Sequence, residues 1–169
     1  MITIGIDPGT ATTGYGIIRE EQDGNLTTLD FGVIQTNANQ PLAERLVQLY
    51  KRIKELVLLH QPDMGAVEKL FFERNVRTAL SVGQARGVSL LALAESGLQV
   101  GEYTPLEVKQ AVTGYGGADK GQIQHMVKTL LGLKEVPHPD DAADALAVAI
   151  CHIHSAKLRN IYAENRDAE

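Results

Sequence analysis

The apolar residues of the chain follow two patterns, short blocks or alternations and spacings of three to four residues. The blocks and alternations predict five strands, at 1–7, 14–20, 26–36, 64–67 and 98–103. The helical spacing predicts helices at 41–60, 77–97, 121–133 and 139–154. A further helix begins at Thr104, where Thr104-Pro105-Leu106-Glu107 forms a capping box with proline at the first helical position.

The order of these elements predicts a single α/β domain. An Asp-Gly pair within 21–25 indicates a hairpin between the second and third strands, so the chain begins with three antiparallel strands. Strands and helices then alternate, which predicts a mixed sheet flanked by helices. We assign residues 1–156 to this domain and 157–169, which are polar, to a flexible C-terminal tail.

Composition narrows the class of protein. The 169 residues fit one domain, and 44% hydrophobic residues are enough for a core. The single cysteine, Cys151, excludes a disulfide framework and a cysteine-based zinc site. No apolar run reaches the roughly 18 residues of a membrane span, and residues 1–7 lack the basic segment of a secretory signal. We therefore expect a cytoplasmic protein that does not associate with membranes.

The charge of the chain is unevenly distributed. Sixteen Lys and Arg against 21 Asp and Glu give a net charge of −5, which argues against simple electrostatic capture of nucleic acid. Residues 69–134, however, contain eight basic and five acidic residues, so this middle part carries +3 and the rest −8. The basic middle fits a local phosphate-binding surface or chance, and charge alone does not separate the two.

Four carboxylates occupy positions that suit chemistry. Asp7 ends the first strand, Glu68 follows the fourth, and Asp141 and Asp144 share one face of the last helix near its start. Carboxylates that meet at one sheet edge form an oxygen-ligand site for Mg²⁺ or Mn²⁺. Two such ions roughly 4 Å apart promote in-line hydrolysis of a phosphodiester.

Each carboxylate also has a structural explanation. An Asp after a strand is often a turn residue, and an Asp at a helix start is often an N-cap. Glu68 is harder to explain in this way, because burying an unpaired charge costs several kcal/mol. The Gly- and Thr-rich turn after Asp7 is similarly ambiguous, since it suits either a phosphate cradle or an ordinary hairpin. The four carboxylates together favour a site more than any one of them does alone.

Four motifs, taken in order, resemble the bacterial RuvC family. They are DPGT at 7–10 with TGYG at 13–16, Glu68 near Phe71, GQARG at 83–87 and DAADALA at 141–147. The resemblance extends from Met1 to about His154. The family comprises Holliday-junction resolvases, so the resemblance implies an RNase H-like fold for the mixed sheet.

The resemblance also implies roles for particular residues. It makes Asp7, Glu68, Asp141 and Asp144 catalytic and metal-binding, with two Mg²⁺ per active site for which Mn²⁺ can substitute. It places an aromatic that probes the junction at Phe71 and lysines that contact phosphate at Lys109 and Lys120. Phe72 and Arg74 of the same polar loop are further DNA-binding candidates, and which of the two rings stacks is left open. His138, three residues before Asp141, is an additional candidate.

The implied activity is endonucleolytic resolution of four-way DNA junctions in recombination and repair. Paired symmetric nicks would leave 5′-phosphate and 3′-hydroxyl ends, made by a homodimer that works with a branch-migration complex of the RuvA and RuvB type. The alternative is a related RNase H-like nuclease that processes ribosomal RNA precursors, which shares the first Asp-x-Gly turn. An actin-like nucleotide-binding fold needs two such domains, and 169 residues supply one. A junction-binding protein that has lost catalysis is expected to lack one of the four carboxylates, and none is missing here.

Overall fold

The structure is a computed structural model that describes residues 1–69 and 76–166. Within these residues the strands are β1 (Ile2–Asp7), β2 (Thr12–Glu20), β3 (Leu26–Gln35), β4 (Met64–Glu68) and β5 (Gln99–Tyr103). The helices are α1 (Leu42–His60), α2 (Val76–Glu95), α3 (Pro105–Thr113), α4 (Lys120–Leu130) and α5 (Asp140–Arg166). Most boundaries lie within two residues of the sequence prediction.

The five strands form one mixed sheet in the order β3-β2-β1-β4-β5. The first three strands pair antiparallel, and β4 and β5 add to β1 in parallel. Parallel strands need a long crossover connection. Helix α2 connects the parallel neighbours β4 and β5, and α1 connects β3 to β4 across the positions of β2 and β1. The predicted mixed sheet flanked by helices is confirmed.

Each face of the sheet is covered by its own hydrophobic cluster. Along β1, Ile4 and Ile6 point to the face covered by α1 and α2 and are fully buried there. Gly5 points to the opposite face, because side chains alternate along a strand. A Cβ on Gly5 would lie 2.3 Å from the carbonyl oxygen of Ala145 in α5. The missing side chain therefore lets α5 lie directly on the sheet, where it contacts all five strands.

Helix α5 is longer than the 139–154 predicted from the sequence. It continues to Arg166. Residues 155–166 include several strong helix formers and neither Gly nor Pro, so the helix has no local reason to stop earlier. Lys157 pairs with Glu20 of β2 at 2.8 Å and joins this extension to the sheet. A polar composition was thus a poor guide to where the helix ends, and the division at residue 156 stays a prediction.

Local signals account for the ends of the shorter helices. Thr104 Oγ1 accepts a hydrogen bond from Glu107 N, and Glu107 Oε2 accepts one from Thr104 N, so the predicted capping box is present. Helix α4 ends at Leu130 rather than 133, shortly before Gly132, whose φ of 60° lies in the left-handed region.

None of the helices in the described ranges combines the length and the apolarity that crossing a membrane requires.

Candidate active site

Two carboxylates meet where β1 and β4 end. These strands are parallel neighbours, with Ile6 in register with Val67. The last residue of each strand, directly after Ile6 and Val67, therefore lies at the same sheet edge. Asp7 and Glu68 are those residues, and their half-buried side chains share a hydrogen bond. The sequence prediction that these two strand-end carboxylates lie together therefore agrees with the structure.

Helix α5 adds its carboxylates to the same edge. Asp141 and Asp144 lie in its first turns, half-buried, while the alanines beside them are fully buried against the sheet. Both aspartates are close enough to repel the charge on Asp7. All four predicted carboxylates thus contribute to one electrostatic cluster.

Burial and mutual repulsion make this cluster hold protons more tightly than ordinary carboxyl groups do. Burial is the largest cause that raises the pKa of Asp7 to about 7, followed by the charges of Asp144 and Asp141. Burial and then the charge of Asp7 raise the pKa of Glu68 to about 8, and Lys109 opposes this shift. Burial likewise raises the pKa of Asp144. The nearby lysines therefore do not fully offset the burial and mutual repulsion of these carboxylates.

Two lysines border the cluster. Lys109 of α3 and Lys120 of α4 line a pocket of about 200 Å³ together with Glu68 and Asp144. Lys120 Nζ lies 3.2 Å from Asp144 Oδ2, and 3.1 Å from Oδ2 of Asp140. The two lysines that the resemblance singled out are therefore at the site.

Asp140 was missed by the sequence analysis. It pairs with Lys120 and its pKa is lowered, chiefly by the hydrogen bond from that lysine. The sequence offered one signal, an additional acid directly before Asp141 at the helix start. That signal alone is equally typical of an N-cap.

The hydroxyl groups of the turn after Asp7 bond within the protein. Thr13 Oγ1 donates to the carbonyl oxygen of Gly9 at 2.6 Å, and Thr36 Oγ1 donates to that of Thr10 at 2.5 Å. The Thr10 hydroxyl bonds to Ser81 Oγ of α2, also at 2.5 Å. These contacts favour the hairpin interpretation of the turn over a phosphate cradle, because they fasten it to β3 and α2.

Three predicted DNA-binding residues, Phe71, Phe72 and Arg74, lie outside the described residues. His138 is exposed in the segment before α5. Cys151 is buried in α5, as expected for a packing residue.

The chemistry of the four carboxylates fits a divalent cation. Within the described residues, no three His, Cys, Asp or Glu side chains are already grouped as a metal site. Yet the half-buried carboxylates Asp7, Glu68 and Asp144 have oxygens for hard cations, and burial, followed for Asp7 and Glu68 by the charges of neighbouring carboxylates, raises the pKa of each. A cation that replaces the bound protons would relieve the repulsion.

A family model, similar protein sequences and similar solved structures all identify the same family. Residues 3–152 match the family model described as crossover junction endodeoxyribonuclease RuvC. A protein of that description from Desulfitobacterium hafniense is 59% identical over 160 residues, which cover 95% of this chain and 96% of the relative. The Thermus thermophilus RuvC structure superposes with a TM-score of 0.87 at 39% identity, covering 94% of this chain and 96% of that one. The structure of T. thermophilus RuvC in complex with a Holliday junction substrate gives 0.85 at 36% identity, with the same coverage.

Proposed function

The chain belongs to the RuvC family of crossover junction endodeoxyribonucleases, and we propose that Asp7, Glu68, Asp141 and Asp144 form the active site with which it resolves Holliday junctions. Its fold is the RNase H-like mixed sheet of that family. A similar structure in complex with a Holliday junction supports the same substrate for this chain. The alternative, processing of ribosomal RNA precursors, has no support from these comparisons.

The observation that carries the site assignment is the hydrogen-bonded pair of Asp7 and Glu68. Two carboxyl groups with pKa values raised to about 7 and about 8 destabilise each other when ionised. A fold keeps such an arrangement at a cost in stability, which a function at that place explains. Their position at the carboxyl ends of adjacent parallel strands leaves them open to a substrate from that edge.

We assign the four carboxylates to holding divalent cations, Mg²⁺ by preference and two per active site, with Mn²⁺ as a substitute. Bound there, the cations supply activation of water and stabilisation of the leaving oxygen in phosphodiester hydrolysis. Asp7 and Glu68 must release the proton that they share before both can act as ligands. Asp144 would hold a cation beside its contact with Lys120, which involves only its Oδ2.

Lys109 and Lys120 bind the DNA backbone in this proposal. They stand on the wall of the pocket that Glu68 and Asp144 also line, so a phosphate bound by the lysines would lie beside the carboxylates. Ammonium groups neutralise phosphates without reading sequence, which suits an enzyme that recognises the shape of a junction. Phe71, Phe72 and Arg74, which follow Glu68 in the sequence, are proposed as further DNA contacts.

A homodimer is proposed as the working form. One face of α2 carries two exposed leucines, Leu80 at 66% and Leu91 at 59% exposed, with Gln84 and Gly87 between them, and we call this set the apolar stripe of α2. A second copy packed on this stripe would bury it and place two sites symmetrically on a twofold junction. We further propose cooperation with a branch-migration complex of the RuvA and RuvB type, in the cytoplasm where genomic DNA lies.

The direct test is cleavage of a synthetic mobile four-way junction, resolved on a denaturing gel with and without Mg²⁺. The native protein should introduce paired nicks with 5′-phosphate ends only when Mg²⁺ is present. Asp7→Asn and Glu68→Gln should lower the cleavage rate by orders of magnitude while junction binding survives, because the phosphate contacts come from other residues. Cleavage by the amide variants at near the native rate would refute the site assignment.

A further inference from the structure

Lys120 is shared between two carboxylates at the start of α5. Its Nζ lies 3.1 Å from Oδ2 of Asp140 and 3.2 Å from Oδ2 of Asp144. Asp140 is also held by Gln124, whose Nε2 donates to Oδ1 at 2.9 Å. Because Lys120 and Gln124 are four residues apart on α4, they face the same way and contact Asp140 together.

Asp140 differs from the four carboxylates of the proposed active site. It has the more exposed side chain of the two that hold Lys120, at 54% against 32% for Asp144. An exposed acid at a surface that binds DNA repels phosphate, so its charge alone lowers the affinity for DNA. Its contacts indicate a further role, since both side chains that it meets come from α4.

We propose that Asp140 is a positioning residue that competes with DNA phosphate for the Lys120 ammonium. This inference rests on the proposed function, in which Lys120 contacts the junction backbone. In the free protein Asp140 keeps the ammonium at the rim of the site and satisfies part of its charge. Junction binding then exchanges one exposed ion pair for another, which lowers the net gain from Lys120.

The geometry suits such an exchange. An ion pair between two half-exposed side chains is weak and screened by salt, so an incoming phosphate can replace Asp140. When Lys120 leaves, the Gln124 hydrogen bond still holds Asp140 in place. The carboxylate is therefore ready to accept the ammonium again when DNA dissociates.

A double-mutant cycle on junction affinity tests the proposal. Asp140→Asn removes the charge but keeps the size and the oxygen that Gln124 contacts. The dissociation constant of a four-way junction is measured with chelator present, so that no cleavage occurs, for native protein, Asp140→Asn, Lys120→Ala and the double variant. Glu135→Gln, which removes an exposed acid five residues earlier, is the matched charge control. Thermal melting checks that each variant is folded.

We expect Asp140→Asn to tighten junction binding about two- to fivefold, the range for an exposed ion pair, and more than Glu135→Gln does. In the Lys120→Ala background this tightening should shrink to that of the control. Equal tightening in both backgrounds would mean that Asp140 only repels DNA at a distance, and unchanged or weaker binding would also overturn the inference. If Lys120→Ala binds the junction as tightly as the native protein does, the Lys120 contact and this inference both fail. Junction cleavage by the native protein tests the proposed function separately.

Discussion

Gly14 lies directly against Asp141, so closely that a Cβ on Gly14 would sit 1.9 Å from the Asp141 carbonyl oxygen. Gly14 is also the partner of Asp7 across the antiparallel pair of β1 and β2. One glycine thus brings the backbone of α5 next to the strand that carries Asp7. The distance between two of the proposed catalytic carboxylates depends on the absence of a single methyl group.

Gly14→Ala should therefore harm both the fold and the site. The methyl group would push the first turn of α5 from the sheet, at a cost of about 1–3 kcal/mol for overpacking. We expect a clearly lower melting temperature and, at temperatures where the variant is folded, slower junction cleavage. Gly121→Ala is the control, because its Cβ would meet only the Asp119 side chain, at 3.3 Å. Native melting and cleavage for Gly14→Ala would show that α5 can adjust without loss.

The stability of the metal-free protein should fall as the pH rises from about 4 to about 8. The pKa values of Asp7 and Glu68 are raised from 3.8 and 4.5 to about 7 and about 8, so the folded state keeps protons that the unfolded chain has released. Stability decreases with pH wherever the folded state binds more protons. Asp7→Asn and Glu68→Gln should flatten this dependence and raise the melting temperature near pH 8 by a few degrees.

Thermal melting in chelator across that pH range measures the effect, with Glu135→Gln as the matched variant at an exposed acid outside the cluster. Added Mg²⁺ should raise the melting temperature of the native protein and have little effect on the amide variants. A native profile that rises towards pH 8 would contradict the assigned coupling between the two carboxyl groups.

Removal of either lysine should reduce the salt dependence of junction binding. Each phosphate contact contributes roughly 0.9 to the slope of log affinity against log salt on duplex DNA, so Lys109→Ala and Lys120→Ala should each lower the slope by about that amount. Lys128 lies two turns beyond Lys120 on α4, and Lys128→Ala is the matched control. An unchanged slope in both test variants would remove these lysines from the DNA interface.

Phe71→Ala separates two interpretations of the Phe71–Phe72 pair. If Phe71 stacks on an unpaired base, worth roughly 1–3 kcal/mol, the variant should melt near the native temperature and cut paired junctions much more slowly. Junctions already unpaired at the crossover should be cut with a smaller loss. A core phenylalanine would instead cost about 3–5 kcal/mol of stability, and activity would then follow the folded fraction. The same measurements on Phe72→Ala decide which ring stacks.

Leu91→Glu should weaken the proposed dimer. A carboxylate in the apolar stripe of α2 would have to be buried when two copies meet, which is unfavourable without a partner. Sedimentation should show more monomer at equal concentration. The junction cleavage assay should show a lower rate of paired nicking. Leu58→Glu is the control, because Leu58 of α1 is 77% exposed and lies outside that stripe. Identical sedimentation of native and Leu91→Glu protein would exclude the stripe as the interface.

The sequence predicted the sheet well because its signals are local. The apolar blocks ending at Asp7 and Glu68 placed both carboxylates at strand ends, and the 104–107 capping box placed the start of α3. The contact of Asp140 with Lys120 depends on how α4 crosses the start of α5, and no local pattern encodes that crossing. Helix α5 extends beyond its predicted end because residues 155–166, although polar, include several strong helix formers.

Helix α5 supplies two of the four proposed catalytic carboxylates and also covers one face of the sheet, so the site and the core depend on the same element. A chain that stops before residue 140 contains Asp7 and Glu68 but neither Asp141 nor Asp144. It also leaves the apolar face that α5 covers exposed to water, so it cannot complete its core. Loss of α5 would therefore remove half of the proposed site together with the packing that holds the other half, so a chain without this helix should be inactive and poorly folded.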